Sequence, residues 1–291
     1  MSEPLVTVLC LTYNHEPWIS EALEGFVAQE APFGIEVLVH DDASTDGTAD
    51  IVRDYAARYP SLIRPVFETE NQYSRGVNIS RDILATLIRG QYVALCEGDD
   101  YWTDPQKIAK QVAALEAHPE ADICCHTAEV WNNGYRSWYV PAVRNRVLKT
   151  EEVILGGGAY VATCSILCRR DVYLQEPAFR KFKYKDYTLQ ILGSLRGGMV
   201  WLKDCMSVYR MCLPGSWTAA NLTPEGCRKF QNENKRMLEI LDAETGGRYH
   251  RVIRKRIRLY DVEYNHLHPL GFFFHLRKEL IRRMYRAFFV K

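Results

Sequence analysis

A chain of 291 residues can bury a sizeable core and carry one large domain with an appendage; its ordinary apolar and charged fractions exclude a disordered or fibrous class. Nine cysteines, an odd number without paired CxxC spacing, argue against a disulfide framework or a zinc site and for reduced thiols. The net charge of +1 hides an asymmetry: residues 248–291 hold twelve Lys or Arg against three acids, so the rest of the chain is acidic.

In chain order, Leu5 to Leu11 is a nearly continuous apolar run rich in β-branched residues, and Pro17 opens an amphipathic segment that runs to Gln29. These read as strand, loop and helix. Ile35 to Val39 repeats the strand signal, Asp41 to Gly47 forms the loop, and Thr48 to Tyr59 has helical spacing up to Pro60. Leu62 to Phe67 predicts a third strand, Val77 to Ile88 a helix, Gln91 to Cys96 a fourth strand, and Gln106 to Ala117 a helix stopped near Pro119. The alternation predicts an α/β fold, a Rossmann-like, mostly parallel sheet flanked by helices and joined by right-handed crossovers.

Beyond about Ala121 the pattern loosens. Ile123 to Cys125 and Ala128 to Trp131 have strand character, and Asn132 to Arg146 reads as an aromatic and polar loop. Gly156-Gly157-Gly158 marks a tight or flexible turn, Ser165 to Cys168 and Gly198 to Leu202 resemble further strands, and Tyr187 to Leu195 a helix. From Pro224 the chain turns helical and basic, giving an expected division into 1–222 and a C-terminal helical basic extension, 223–291.

The most informative stretch follows the fourth strand. Glu97, Asp99 and Asp100 stand at its carboxyl end, where open α/β sheets leave a crevice for ligand, and no basic residue lies beside them in sequence. Carboxylates at such close quarters repel and raise one another's pKa values, which calls for a hard divalent cation such as Mg²⁺ or Mn²⁺. A solvated loop before a helix accounts for Asp104-Pro105, an N-cap and first-turn pair, better than for the three acids.

Three segments leave carboxyl ends of strands: Thr12-Tyr13-Asn14, Asp41-Asp42 followed by Ala-Ser-Thr-Asp46-Gly47-Thr48, and Cys96-Glu97-Gly98-Asp99-Asp100-Tyr-Trp-Thr-Asp-Pro. In that order they resemble the family 2 glycosyltransferases of GT-A fold over roughly residues 4 to 217. The resemblance implies transfer of a sugar from a nucleoside diphosphate, UDP being the expected carrier, to a hydroxyl with inversion at the anomeric carbon. It implies a nucleotide pocket of Thr12, Tyr13, Asn14, Asp41, Asp42, Arg81 and Asp99, and a Mn²⁺ or Mg²⁺ site at Glu97, Asp99 and Asp100. Asp186, by itself a helix N-cap in Lys185-Asp186-Tyr187, becomes the general base; Trp102, Tyr187, Arg210 and Trp217 fall on the acceptor or donor-sugar side. Two departures stand out: Glu97 where the family has Asp, and Cys212 in Tyr209-Arg210-Met211-Cys212, where many relatives have His.

The expected partners are a nucleotide-sugar donor and a glycan or lipid-linked acceptor, in surface polysaccharide assembly of the lipopolysaccharide or capsule kind. The start of the chain lacks a basic and apolar leader, and no window reaches the roughly 18 apolar residues of a span, so a cytoplasmic location is expected. Phe273, Leu276, Leu280, Met284 and Phe288 line one side of a prospective helix flanked by arginines, a pattern suited to an anionic membrane surface. Nucleic acid is not an expected partner. A catalytically silent nucleotide-sugar-binding subunit and a basic-tailed membrane adaptor are the competing readings. A nucleotidyltransferase would carry a Gly-rich basic phosphate loop, which Thr12 to Glu16 lacks, and an adjacent Asp41-Asp42 pair does not suit a phosphatase. His266 and His268 beside Pro269 read as surface residues.

Overall fold

The computed structural model describes residues 3–132, 134–182, 185–213, 216 and 224–264. Strands β1 (Val6–Thr12), β2 (Ile35–Asp41), β3 (Ile63–Phe67) and β4 (Tyr92–Leu95) form the parallel block in the order β3-β2-β1-β4. Both β1 and β2 are buried on both faces, which is why they read as continuous apolar runs without alternation. Helices α1 (Ile19–Val27), α2 (Thr48–Arg58) and α3 (Lys107–Ala117) follow the expected spacing.

The second half extends this sheet. Beyond β4 come β9 (Leu167–Arg169), antiparallel to both neighbours, then β6 (Ile123–Asn132), β10 (Met199–Met211) and the two-residue β5 (Tyr101–Trp102). β10 runs parallel to β6, with register shifts between Leu202 and Ser207. β7 (Tyr135–Tyr139) pairs with β6, and β8 (Arg146–Leu148) with β10. The stretch 132–146 therefore contains strand β7 and leads into β8, where a loop was expected. β6 is likewise one strand rather than two.

Alternate residues of β1 feed two cores. Val6, Val8 and Cys10 pack with Ile19, Leu23 and Phe26 of α1 and with Ile108 and Val112 of α3. On the other face Leu9 joins the core lined by α4 (Thr150–Gly156), the short α5 (Arg170–Tyr173), α6 (Lys185–Ser194), α7 (Pro224–Glu244) and α8 (His250–Tyr264). Met237, Leu238, Leu241, Ile253 and Tyr260 of the last two helices belong to this same cluster. No helix among the described residues is long and apolar enough to cross a membrane.

One expected helix is absent. Residues 77–88 form a π-helical turn, Ile79–Ile83, and a single 3-10 turn, Leu84–Thr86. The side chains explain this: Asn78 accepts from the Arg81 backbone N–H, Asp82 accepts from that of Asn78, and Thr86 Oγ1 donates to the Ile83 carbonyl. Each offers the backbone a local partner that competes with a regular α-helix.

Candidate active site

The carboxyl ends of β1, β2 and β4 lie side by side because the strands are parallel and in register, Thr12 opposite Asp41. Their loops are stitched together. Asn14, held at a positive φ of 54°, takes Ser44 Oγ through its N–H and accepts the Thr45 N–H at 2.8 Å through Oδ1. The His15 N–H donates to Thr48 Oγ1, and the Glu16 N–H to Asp46. Asn14 thus fastens two loops and has its side-chain oxygen spent on protein.

Asp41 and Asp42 are both buried. The Asp41 carboxylate accepts the N–H and hydroxyl of Ser44. Asp42 accepts the backbone N–H of Gln72 at 2.7 Å and of Tyr73 at 3.0 Å, so it latches the 71–73 loop over the end of β2. Tyr13 and Tyr73 remain exposed beside these acids. Sequence reasoning did not reach the Asp42 latch, since only tertiary structure brings residue 72 to the second strand.

The acidic loop turns immediately after β4. The Gly98 N–H donates to the Leu11 carbonyl, and the Asp100 N–H to the Glu97 carbonyl. Gly98 fits because a Cβ there would lie 2.7 Å from Thr12 Oγ1 and 2.9 Å from His15 Nδ1. Ligand oxygens of Glu97, Asp99 and Asp100 lie within 4.8 Å of one another. Glu97 is open to solvent yet deeply surrounded by protein, as on the floor of a cleft; burial, then Asp99, then Asp186 push its carboxyl up to about 8. Burial also raises Asp99, against the opposing pull of His15 and Arg210, and raises Asp100 well above the carboxylate range with help from Asp99 and Glu97. Three acids that resist ionisation together form a site a divalent cation fits, and its oxygens suit a hard ion. Cys212, at φ 62°, brings only a thiol, which such an ion does not favour.

Asp186, in the first turn of α6, lies within electrostatic reach of this cluster. Its charge reaches Glu97, burial raises its own carboxyl, and it accepts the Tyr187 N–H at 2.8 Å. The residue therefore serves locally as a helix-start acceptor while facing the acidic loop.

Other expected site residues stand elsewhere. Trp102 is buried: its Nε1 donates to the Cys164 carbonyl at 3.0 Å, and its ring packs edge-on to Phe26 and beneath Lys107 Nζ. It is a core residue, not a sugar contact, because its position on β5 turns the indole inward. Tyr187 is also buried, its hydroxyl donating to the Ile154 carbonyl. Arg210 backs the acidic loop from behind. Its backbone N–H donates to Asp100, its guanidinium to the Asp99 carbonyl and to Glu21, and the group lies over the Tyr101 ring. Arg81 forks onto its neighbour Asp82. Trp217 lies outside the described residues.

Two contributors were missed by sequence reasoning. His15 Nε2 stands 4.0 Å from Asp99, and Glu21 anchors Arg210. His15 was within reach, three residues after Thr12 in a loop already assigned to the site; Glu21 reads as an ordinary first-turn acid of α1.

This arrangement, parallel strand ends carrying an acidic cluster, is where open α/β sheets bind ligands. Residues 7–174 match the family model "Glycosyl transferase family 2", and the chain belongs to that family. An uncharacterized protein of Mycobacterium tuberculosis is 36% identical over 220 residues, 74% of this chain and 61% of that protein, so the alignment spans well under the relative's full length. Among solved structures, S. aureus TarS 1-349 in complex with UDP-GlcNAc superposes with a TM-score of 0.57 at 19% identity, covering 82% of this chain and 70% of that one. The mannosyltransferase PcManGT from Pyrobaculum calidifontis, in complex with GDP-Man and Mn²⁺, gives 0.56 at 18% identity, covering 91% and 70%. The fold is of the GT-A glycosyltransferase kind.

Proposed function

We propose that the chain is an inverting glycosyltransferase that moves a sugar from a nucleoside-diphosphate donor, UDP-linked in our reading, to a hydroxyl of a glycan or lipid-linked acceptor in surface-polysaccharide assembly. The observation that carries this reading is the cluster of Glu97, Asp99 and Asp100 after β4, whose ligand oxygens lie within 4.8 Å of one another, with Asp186 within electrostatic reach of Glu97. An in-line displacement requires a base on one side of the anomeric carbon and a leaving-group site on the other.

In this mechanism Asp186 Oδ takes the proton of the acceptor hydroxyl as its oxygen bonds to the anomeric carbon and the bond to the diphosphate oxygen breaks. The raised carboxyl of Asp186 makes it a stronger base than an exposed aspartate. Asp99 and Asp100, with Glu97, would hold Mn²⁺ or Mg²⁺, which when bound supplies positive charge to the departing diphosphate. Arg210 keeps the loop in register through Asp99 and Asp100. Tyr13 and the latched 71–73 loop border the place for the base, where Asp41 and Asp42 supply fixed acceptors. The C-terminal basic region, 223–291, is read as a membrane-surface segment and the chain as peripheral on the cytoplasmic face; residues 265–291 lie outside the described residues.

The test is nucleoside diphosphate release from a panel of UDP- and GDP-sugars with acceptor extract. Asp186→Asn should lower kcat by about 10²–10⁴-fold with donor affinity kept. Unchanged kcat would remove Asp186 from the chemistry.

A further inference from the structure

We propose that the outer face of α8 (His250–Tyr264) is a docking surface for an anionic lipid bilayer. The helix is sharply two-sided. Ile253, Arg256 and Tyr260 are buried toward the core, whereas Arg251, Arg254, Lys255 and Arg258 are exposed. Spacings of three, one and three residues put the four cations in a single stripe, about 10 Å long at the helical rise.

The stripe lacks counter-charge. Several exposed arginines elsewhere are neutralised, Arg53 by Asp50, Arg58 by Asp54, Arg75 by Glu70 and Arg136 by Glu129. Arg144, Arg236 and Arg248 are scattered exposed arginines that likewise have no ionic partner among the described residues. Among the described residues none of the four α8 cations has an ionic partner, and Asp261 on the same helix is engaged by Lys235 of α7. The chain beyond residue 264 continues in the same sense, with Arg277, Lys278, Arg282, Arg283 and Arg286 against a single acid, Glu279. Unscreened cations on one face attract an anionic leaflet by about 1 kcal/mol each, roughly a fivefold gain in affinity per residue.

The chemistry of the face selects the partner. The large apolar side chains exposed among the described residues all lie before α7, the last being Leu174. The stripe thus offers no aromatic platform on which single-stranded bases stack. Its opposite side is packed on α4 and α7, so the helix is not free to enter a duplex groove. A flat array of cations without inserted apolar groups fits headgroup phosphates, with adsorption that salt reverses.

Docking here also bears on the site. Arg256, on the buried side, lies over the Tyr260 ring and against Gly157, where a Cβ would fall 2.6 Å from its Nη2. Gly158 borders Tyr187, next to Asp186. The helix therefore abuts the loop that walls the Asp186 side of the cleft, and a bilayer held by α8 presents a lipid-linked acceptor to that side. This last point rests on the transfer reading above; the docking itself does not.

The experiment is cosedimentation of the full chain with vesicles of phosphatidylglycerol and phosphatidylcholine, or of phosphatidylcholine alone, with UDP and GDP binding measured on the same samples. Wild type should bind only the anionic vesicles and release them at high salt. R251Q/R254Q/K255Q/R258Q should lose at least about 100-fold in vesicle affinity. R53Q/R58Q/R75Q/R136Q removes the same formal charge from paired sites and should stay within about fivefold of wild type. Equal binding by the α8 variant, equal loss in the control, binding to phosphatidylcholine alone, or comparable binding of a DNA oligonucleotide through the same four residues would each overturn the proposal. Nucleotide binding should survive in both variants; its absence in wild type would instead count against the transfer reading and leave the docking result standing.

Discussion

Replacing Arg210 by Leu tests how the acidic loop is held. The backbone N–H that reaches Asp100 survives the change, so the variant isolates the guanidinium. Besides a distant placement over the Trp131 ring, three contacts disappear. The charged hydrogen bond to the Asp99 carbonyl at 2.8 Å is worth about 1.5–3 kcal/mol. The position over the Tyr101 ring, 4.6 Å to its centroid, adds about 1–2 kcal/mol because the arginine is nearly buried. The Glu21 pair adds at most about 1 kcal/mol, its carboxylate being more than half exposed. Leucine recovers part of this by apolar burial, leaving a net loss of about 3 kcal/mol, or about 6–12 °C in Tm for a large domain. Arg210 also holds the Asp99 carbonyl, so loosening of the loop in its absence should weaken Mn²⁺ affinity despite the loss of a repelling charge. Urea unfolding and manganese titration read the two effects. A variant within about 1 kcal/mol of wild type, with unchanged manganese affinity, would refute the buttress.

Two further outcomes follow from the same contacts. Trp102→Phe should cost about 1–3 kcal/mol in urea unfolding, since the Cys164 carbonyl loses its buried donor, while donor and acceptor KM stay near wild type; a KM effect at unchanged stability would put the indole back in the sugar site. Burial would raise the Glu36 carboxyl, but hydrogen bonds from Arg89, Thr7 and Arg64 outweigh it and hold the group below its ordinary 4.5. A depressed carboxylate stabilises above its unfolded pKa, and that stabilisation is lost as pH falls through the folded value. Glu36→Gln should therefore be less stable than wild type at pH 7 and converge with it in acid, as urea midpoints across pH 3 to 7 would show; a gap that widens in acid contradicts the assignment.

The parts of this molecule legible from sequence are those governed by local pattern. β1 and β2 announce themselves as apolar runs buried on both faces, and the acids after β4 stand out because no nearby residue in the chain neutralises them. Non-local contacts were not legible. The 77–88 segment has helical spacing, yet Asn78, Asp82 and Thr86 divert its backbone. Trp102 adjoins the acidic loop in sequence, but β5 pairs with β10 and turns its indole into the core. Arg210 was expected near the sugar and lies beneath the loop, since register with Asp100 is set by sheet pairing more than a hundred residues away. Asp186 comes within electrostatic reach of Glu97 only once α6 packs against β6 and β10.

A nucleotide-diphosphate site built on the Glu97–Asp100 loop should depend on a divalent cation. Calorimetric titration of UDP and GDP into wild type and Asp99→Asn, each with Mn²⁺ and with chelator, addresses it most directly. We expect tight binding of one nucleotide only in the wild type with Mn²⁺, and a loss of at least about 100-fold with chelator or with Asp99→Asn. Equal affinity in all four conditions would contradict it.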